Sequence, residues 1–228
     1  MTASRVLSWT PAAIVFDCDG TLMDTERHWQ DARSNVLGAY GFAPAPDFAE
    51  RAKGLHYTEC GCLMAAESGH PELGEVMTGQ LLAEFRALVA DNPLTMPGAR
   101  ALVQDVSRFA PLAVASNCPA EVVESCLETA GLREYFDHLV VPDETIRPKP
   151  HPDVYLTAAG LCGVEPSDTL AIEDSLCGVQ AAVRAGMRVL GAGPRPSEET
   201  EALTDLWVRS LDDPELRMWA CDRVPSQA

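Results

Sequence analysis

Positive charge is scarce in this chain. Its 228 residues carry 17 Lys and Arg against 34 Asp and Glu, a formal net charge of −17 at pH 7. That excess repels phosphate backbones and anionic headgroups, which argues against nucleic acid and membrane partners. Long hydrophobic runs are missing too: no uninterrupted apolar stretch reaches the roughly 20 residues that a bilayer-spanning helix needs. The first residues, Met1 to Pro11, hold one Arg and a Trp but no basic region followed by an apolar core, so no secretory signal is read there. The eight cysteines lack framework spacing, which predicts free thiols in a reducing cytoplasm rather than disulfides. There is no internal repeat and no low-complexity segment. A small anionic substrate is compatible with this composition only if local cations, a metal or helix N-termini offset the global field.

What is present is apolar material for a sizeable core, 46% of residues, and an alternation of short apolar runs with helical patterns. Ile14-Val15-Phe16 reads as a strand running into two carboxylates, Asp17 and Asp19, with Gly20 permitting a turn behind them. Asp24 and Thr25 are read as helix caps ahead of Glu26, and Trp29, Ala32, Val36 and Tyr40 as one helical face. Helical pattern continues through Met77, Leu81, Phe85, Leu88 and Val89 to about Ala90, with no strand in between.

From Pro97 onward, apolar runs at Leu112–Ala115, His138–Val141, Thr169–Ile172 and Met187–Leu190 alternate with helices, and Leu206-Trp207-Val208 reads as an edge strand. This pattern predicts an α/β fold: a doubly wound parallel sheet with a Rossmann-like core and an all-helical cap inserted after the first strand. The expected division is a catalytic core of residues 1–23 and 93–228 and a cap of residues 24–92.

In such a sheet the carboxyl ends of the strands converge on one crevice. They deliver Asp17 and Asp19, then Ser116 and Asn117, then Glu173 and Asp174, with Lys149 in the proline-flanked loop Arg147-Pro148-Lys149-Pro150. Clustered carboxylates, a hydroxyl, an amide and an ammonium suit phosphoryl transfer. Hard oxygen ligands select Mg²⁺, Ser116 and Lys149 can hold phosphoryl oxygens, one aspartate can act as nucleophile and the other can carry protons.

These residues carry a resemblance. Asp17-Cys18-Asp19-Gly20-Thr21, Ser116-Asn117, Lys149-Pro150 and Glu173-Asp174-Ser175 resemble, in order, the four motifs of the haloacid dehalogenase superfamily. The helical insert after the first motif is similar to its small-cap branch, which holds β-phosphoglucomutase and sugar-phosphate phosphatases. The resemblance implies Asp17 as nucleophile, Asp19 as general acid/base, and Mg²⁺ held by Asp17, the Asp19 carbonyl and Asp174, with Glu173 beside them. It also implies that Ser116, Asn117 and Lys149 hold the phosphate. From the insert, Trp29, Arg51, Lys53 and Tyr57 are candidates for substrate contact.

Mutases of this branch follow the Lys-Gly pair closely with an arginine that grips a second phosphate. Here Lys53-Gly54 is followed by His56, Tyr57 and Thr58, so a phosphatase of a small phosphorylated metabolite, a sugar or sugar-acid phosphate, is expected. The alternatives are a phosphomutase and a non-catalytic metabolite-binding protein on the same scaffold. Cys60 and Cys62 with His56 and His70 are not read as a zinc site, because helix positions two apart point to different sides. Gly191-Ala192-Gly193 is not read as a dinucleotide loop, because Pro194 and Pro196 break the helix that would have to follow.

Overall fold

The computed structural model describes residues 6–91 and 94–224. The first five residues of the N-terminal reading and the cap boundary at Asn92 lie outside them.

The chain opens with β1 (Ala13–Phe16) and then runs through four helices, α1 (Glu26–Ala39), α2 (Phe48–Ala52), α3 (Tyr57–Glu67) and α4 (Gly74–Asp91). The α/β pattern follows: α5 (Ala99–Val106), β2 (Leu112–Ala115), α6 (Ala120–Thr129), β3 (His138–Val140), α7 (Asp153–Leu161) and β4 (Thr169–Glu173). It closes with α8 (Leu176–Arg184), β5 (Arg188–Ala192), α9 (Glu198–Leu203), β6 (Leu206–Val208) and α10 (Pro214–Cys221). All six strands pair in parallel in the order β3-β2-β1-β4-β5-β6, the Rossmann order, whose direction reverses between β1 and β4.

The central strands β1, β2 and β4 are buried on both faces, and the period of two divides their side chains between two apolar layers. Ile14 and Phe16 of β1, Leu112 and Val114 of β2, and Leu170 and Ile172 of β4 join the layer that contains α5, α6 and α10. Val15, Ala113 and Ala171 point the other way, onto Val154, Tyr155, Ala158 and Ala159 of α7 and Val179 and Ala182 of α8. The first layer is continuous with the interior of the four-helix insert, where Ala32, Met64, Leu81 and Phe85 are fully buried. At the base of the insert the chain crosses itself: Asp24 donates its amide to Leu94 O and Met96 donates to Leu22 O.

Two elements extend beyond their sequence reading. β5 continues through Gly191 and Ala192, paired with Trp207 and Val208 of β6. Gly191 lies under the Trp207 ring, where an added Cβ would come within 2.0 Å of Cε3, so the glycines near a supposed dinucleotide loop end a strand instead. α8 begins at Leu176, two residues ahead of the small-residue helix that the sequence pattern marks from Gly178 to Ala185, because Ser175 caps it by accepting from the Gly178 amide. All eight cysteines are free. Among the described residues no helix is long and apolar enough to cross a membrane.

Candidate active site

The β1–β4 switch point organises the site. Phe16 pairs with Ile172, and the Asp17 amide donates to Ile172 O at 2.9 Å, so Asp17 leaves β1 level with the acidic end of β4. Gly20 then turns the chain with φ +87°, and any Cβ there would lie 2.2 Å from Asp174 Oδ2. Only glycine satisfies both demands. The turn is tied down by Gly20 N donating to Met23 O and by Leu22 N and Met23 N donating to Cys18 O. Cys18 itself faces the core, 2% exposed.

Lys149 is the electrostatic centre. Its side chain is buried, and Nζ donates to Asp17 Oδ1 at 2.6 Å and to Glu173 Oε1 at 2.7 Å. The Tyr155 ring lies beneath it, 4.9 Å from Nζ to centroid. Burial alone pulls its pKa down, but Asp17 and Glu173 outweigh that and hold it well above the usual lysine value. Asp17 moves the other way: burial and the Glu173 charge push its carboxyl well above the carboxylate range, against the pull of Lys149. Asp17 Oδ2 is buried and has no hydrogen-bond partner.

Glu173 is fully buried and accepts five hydrogen bonds. Lys149 Nζ and the Tyr155 hydroxyl bond Oε1, while the Asp174 amide, the Ser175 amide and the Ser175 hydroxyl bond Oε2. Burial would raise its pKa; Lys149 and these bonds win and lower it. Oxygens of Asp17, Glu173 and Asp174 lie within 4.8 Å of one another, the one such cluster with metal-binding potential among the described residues. Within it, Glu173 is the member whose lone pairs are already used. Glu173, expected beside the metal residues, is thus a member of the acidic cluster that also anchors Lys149 and the 173–175 backbone.

Asn117 ties two segments together through its side chain. Its Oδ1 accepts from the Lys149 amide at 2.9 Å, and its Nδ2 donates to Lys149 O at 3.1 Å and to Gly54 O at 2.9 Å. The amide thus fixes the lysine loop on one side and the helical insert on the other. Ser116 Oγ accepts from the Cys118 amide at 3.0 Å and donates to Asp19 Oδ2 at 3.3 Å.

Asp19 is held from both sides of the cleft. Thr25 Oγ1 donates to its Oδ1 at 2.6 Å, and Ser116 donates to Oδ2 from the core side. Burial raises its pKa against these donors and Lys149. Thr25 does occupy the N-cap of α1, as its residue type suggests, but its hydroxyl makes no capping bond; it is spent on Asp19.

Trp29 and Lys53, read as substrate contacts, both reach the site from the insert. Trp29 stacks on Phe85, centroids 3.6 Å apart. Lys53 Nζ bonds Asp174 twice, Oδ2 at 2.8 Å and the backbone carbonyl at 2.7 Å. Burial raises the Asp174 pKa to about 7, against the opposing charge of Lys53. Two further charged residues line the cavity and were not singled out from the sequence: Glu26 and Arg33 of α1. Their signal was legible as a spacing, since positions 26, 29 and 33 share one helix face. The enclosed space is about 30 Å³, room for little more than one or two waters. The histidines and cysteines set aside as a zinc site do not gather: Cys60 is buried, Cys62 exposed, His56 bonds Thr58 and His70 bonds Glu72.

Residues 14–192 match the haloacid dehalogenase-like hydrolases, a span that covers every motif named above. The chain belongs to that family. It is 36% identical over 209 residues to a probable pseudouridine-5'-phosphatase of Drosophila melanogaster, covering 87% of this chain and 89% of the relative. It is 31% identical over 194 residues to the fructose-1-phosphate phosphatase of Escherichia coli K12, covering 77% and 93%. The crystal structure of β-phosphoglucomutase from Clostridium difficile superposes with a TM-score of 0.79 at 23% identity, over 93% of this chain and 98% of that one. At that identity the last likeness speaks for the fold, not the reaction. Among haloacid dehalogenase-like hydrolases, then, this chain carries a parallel sheet with a helical cap after its first strand, and it is an enzyme of that class.

Proposed function

We propose that the protein is a Mg²⁺-dependent phosphatase that hydrolyses a small phosphorylated metabolite, a sugar or sugar-acid phosphate, through a phospho-aspartate on Asp17. The observation that carries this reading is Asp17 Oδ2, a buried carboxylate oxygen with no partner on the wall of a cavity whose opposite charge is the buried Lys149 ammonium. An acid left with an unused lone pair in an apolar setting is costly unless something reacts or binds there.

The residues fit Mg²⁺, which takes hard oxygen donors. Asp17 and Asp174 would hold it with the Asp19 carbonyl, as the family resemblance implies, while Glu173 stays bonded behind them. Bound there, the cation supplies positive charge that keeps the carboxylates ionised and offsets charge on the phosphoryl oxygens.

The other roles belong to this chain's side chains. Asp17 attacks phosphorus in line. Lys149, fixed by Glu173 and Asn117, holds a phosphoryl oxygen where charge accumulates, and Ser116 with the following amides holds another. Asp19, whose raised pKa favours keeping a proton in the apolar site, gives it to the leaving oxygen and then takes one from water. Thr25 fixes its carboxyl for both steps, while the single Ser116 hydroxyl hydrogen, which bonds Asp19 before substrate enters, turns to the phosphoryl oxygen.

Water as the acceptor is favoured over a second substrate phosphate by the charge pairing of the cap. Its two cations nearest the site, Lys53 and Arg33, are already paired with Asp174 and Glu26. Residues 24–92 act as a lid, since the closed cavity is too small to admit a sugar phosphate without movement. The eight free thiols support a cytoplasmic location. The relatives named as phosphatases of phosphorylated sugars and nucleosides support the substrate class.

The test is inorganic phosphate release from an aryl phosphate and a sugar-phosphate panel with Mg²⁺. Turnover should disappear with chelator and return with excess Mg²⁺. No turnover on any ester would favour the metabolite-binding reading, and full activity in chelator would refute the metal assignment.

Closure has its own test at Gly54, which has φ +75° and packs against the core so closely that a Cβ would lie 2.6 Å from Ser175 Oγ. Gly54→Ala adds that contact and a left-handed backbone cost of about 1–2 kcal/mol. A fall in kcat/KM of about tenfold or more is expected, with unchanged far-UV circular dichroism. Parent-like kinetics would mean that catalysis does not require this approach of cap to core.

A further inference from the structure

Arg33 is a buried cation with part of its bonding capacity unused. It is 3% exposed; Nε donates to Trp29 O at 2.9 Å and Nη2 to Glu26 Oε1 at 2.8 Å. Nη1 is buried without a partner, and Arg33 lines the catalytic cavity. A guanidinium has five N–H donors in a rigid fork, and leaving a buried one unpaired is costly. Glu26 lines the same cavity. Among the described residues its Oε1 receives Arg33, and no bond to its Oε2 is made. A donor with spare capacity and an acceptor with spare capacity therefore stand side by side on α1, whose N-cap is Asp19's partner Thr25.

The charges decide what such a pair reads. A carboxylate or second phosphate on the substrate could accept from Nη1, but it would face Glu26 beside it and Asp19 across the cavity, in a chain of net charge −17. Arg33 offers no surplus charge to offset that, being already neutralised by Glu26. A hydroxyl has no such conflict: its oxygen accepts from Arg33 Nη1 while its hydrogen is donated to Glu26 Oε2.

We propose that Arg33 and Glu26 form a hydroxyl-reading pair in the cap, which makes the preferred substrate a phosphate monoester of a neutral, polyhydroxylated alcohol and disfavours sugar acids and bisphosphates. This rests on the phosphatase reading and narrows it from sugar or sugar-acid phosphates to the neutral class.

The test compares kcat/KM on three esters: a hexitol monophosphate, the matching aldonic-acid phosphate, and phenyl phosphate, which has no hydroxyl to read. The parent should favour the hexitol ester over the acid by at least about tenfold. Arg33→Gln should lower the hexitol-to-phenyl ratio by about 10- to 100-fold, the worth of a hydrogen bond to a charged group. Glu26→Gln removes the competing negative charge, so it should shift preference toward the acid ester, a change of sign that general loss of structure does not produce. Thermal denaturation of each variant separates folding from selectivity, and if Arg33→Gln does not fold, the Glu26→Gln ratio decides alone. Equal losses on all three esters, or a parent that prefers the acid, would overturn the assignment. Phenyl phosphate turnover without selectivity overturns this inference only, whereas no turnover of any ester overturns the phosphatase reading and this inference with it.

Discussion

Asp19→Asn should release close to one equivalent of aryl alcohol per enzyme and then stall. The substitution keeps the side chain's size and the backbone carbonyl, and its amide can still engage Thr25 and Ser116, which hold the native carboxyl at 2.6 and 3.3 Å. What it cannot do is carry a proton. An aryl alcohol leaves as its anion and needs little help, so the first step survives, whereas hydrolysis of phospho-Asp17 requires activated water. On an alkyl ester both steps need the proton, and the loss should be at least roughly 10²- to 10⁴-fold. Asp17→Asn should give no burst, since the attacking oxygen is gone. Rapid-quench measurement of alcohol and phosphate reads both outcomes. Equal slowing on alkyl and aryl esters in Asp19→Asn, with no trapped phosphoryl group, would move the proton carrier elsewhere.

Lys149→Met should cost the enzyme both fold stability and turnover. Lys149 Nζ is the shared partner of Asp17 and Glu173, with its side chain 2% exposed. Removing one member of a buried ion pair leaves its partner uncompensated, at a typical cost of roughly 3–5 kcal/mol. In a chain of this size that corresponds to a fall in Tm of about 6–20 °C. Activity should drop by roughly 10²-fold or more, as when a single preorganised donor is lost from a charged transition state.

The double variant Lys149→Met with Glu173→Gln separates the two effects. The introduced side-chain amide would keep an acceptor for the Asp174 and Ser175 amides that Glu173 now bonds at 2.9 and 3.1 Å, and the exchange removes one of the two stranded charges. Part of the lost Tm should return while activity stays low. Calorimetry and steady-state kinetics check this, and a double variant that regained activity would show that Lys149 supports the fold without touching the phosphate.

The Lys149 network also shows the reach of local sequence. That Lys149 belongs with Asp17 and Glu173 was legible from four short motifs at strand ends, because parallel strands bring their carboxyl ends to one edge. That its ammonium bridges those two carboxylates, over separations of 132 and 24 residues, was not. Thr25 illustrates the same gap at short range. Its residue type and position mark an N-cap, yet the hydroxyl turns to Asp19, because a buried carboxylate makes a stronger, charge-assisted bond than a helix-end amide.

Asn117, Lys53 and Arg33 were harder still. Asn117 bonds the cap's Gly54 across 63 residues, and Lys53 bonds Asp174 across 121. Arg33 lies outside the stretch after Lys53-Gly54, where mutases of this branch carry their arginine. The cap places its cation from the first helix instead, one turn after Trp29.

Local sequence determined the strands, the helical insert, the glycine turn after Asp19 and the acidic and polar residues that end β1, β2 and β4. Those follow from backbone sterics and from periods of 2 and 3.6, which act over a few residues. The sheet order that sets Asp17 beside Asp174, the closure of cap on core, and the division of labour among the carboxylates were decided only in three dimensions. Which acid is anchored, as Glu173 is, and which keeps a free oxygen, as Asp17 does, depends on burial and on donors brought in from distant segments. Desolvation and charge pairing are properties of the packed site, and no single stretch of the chain contains them.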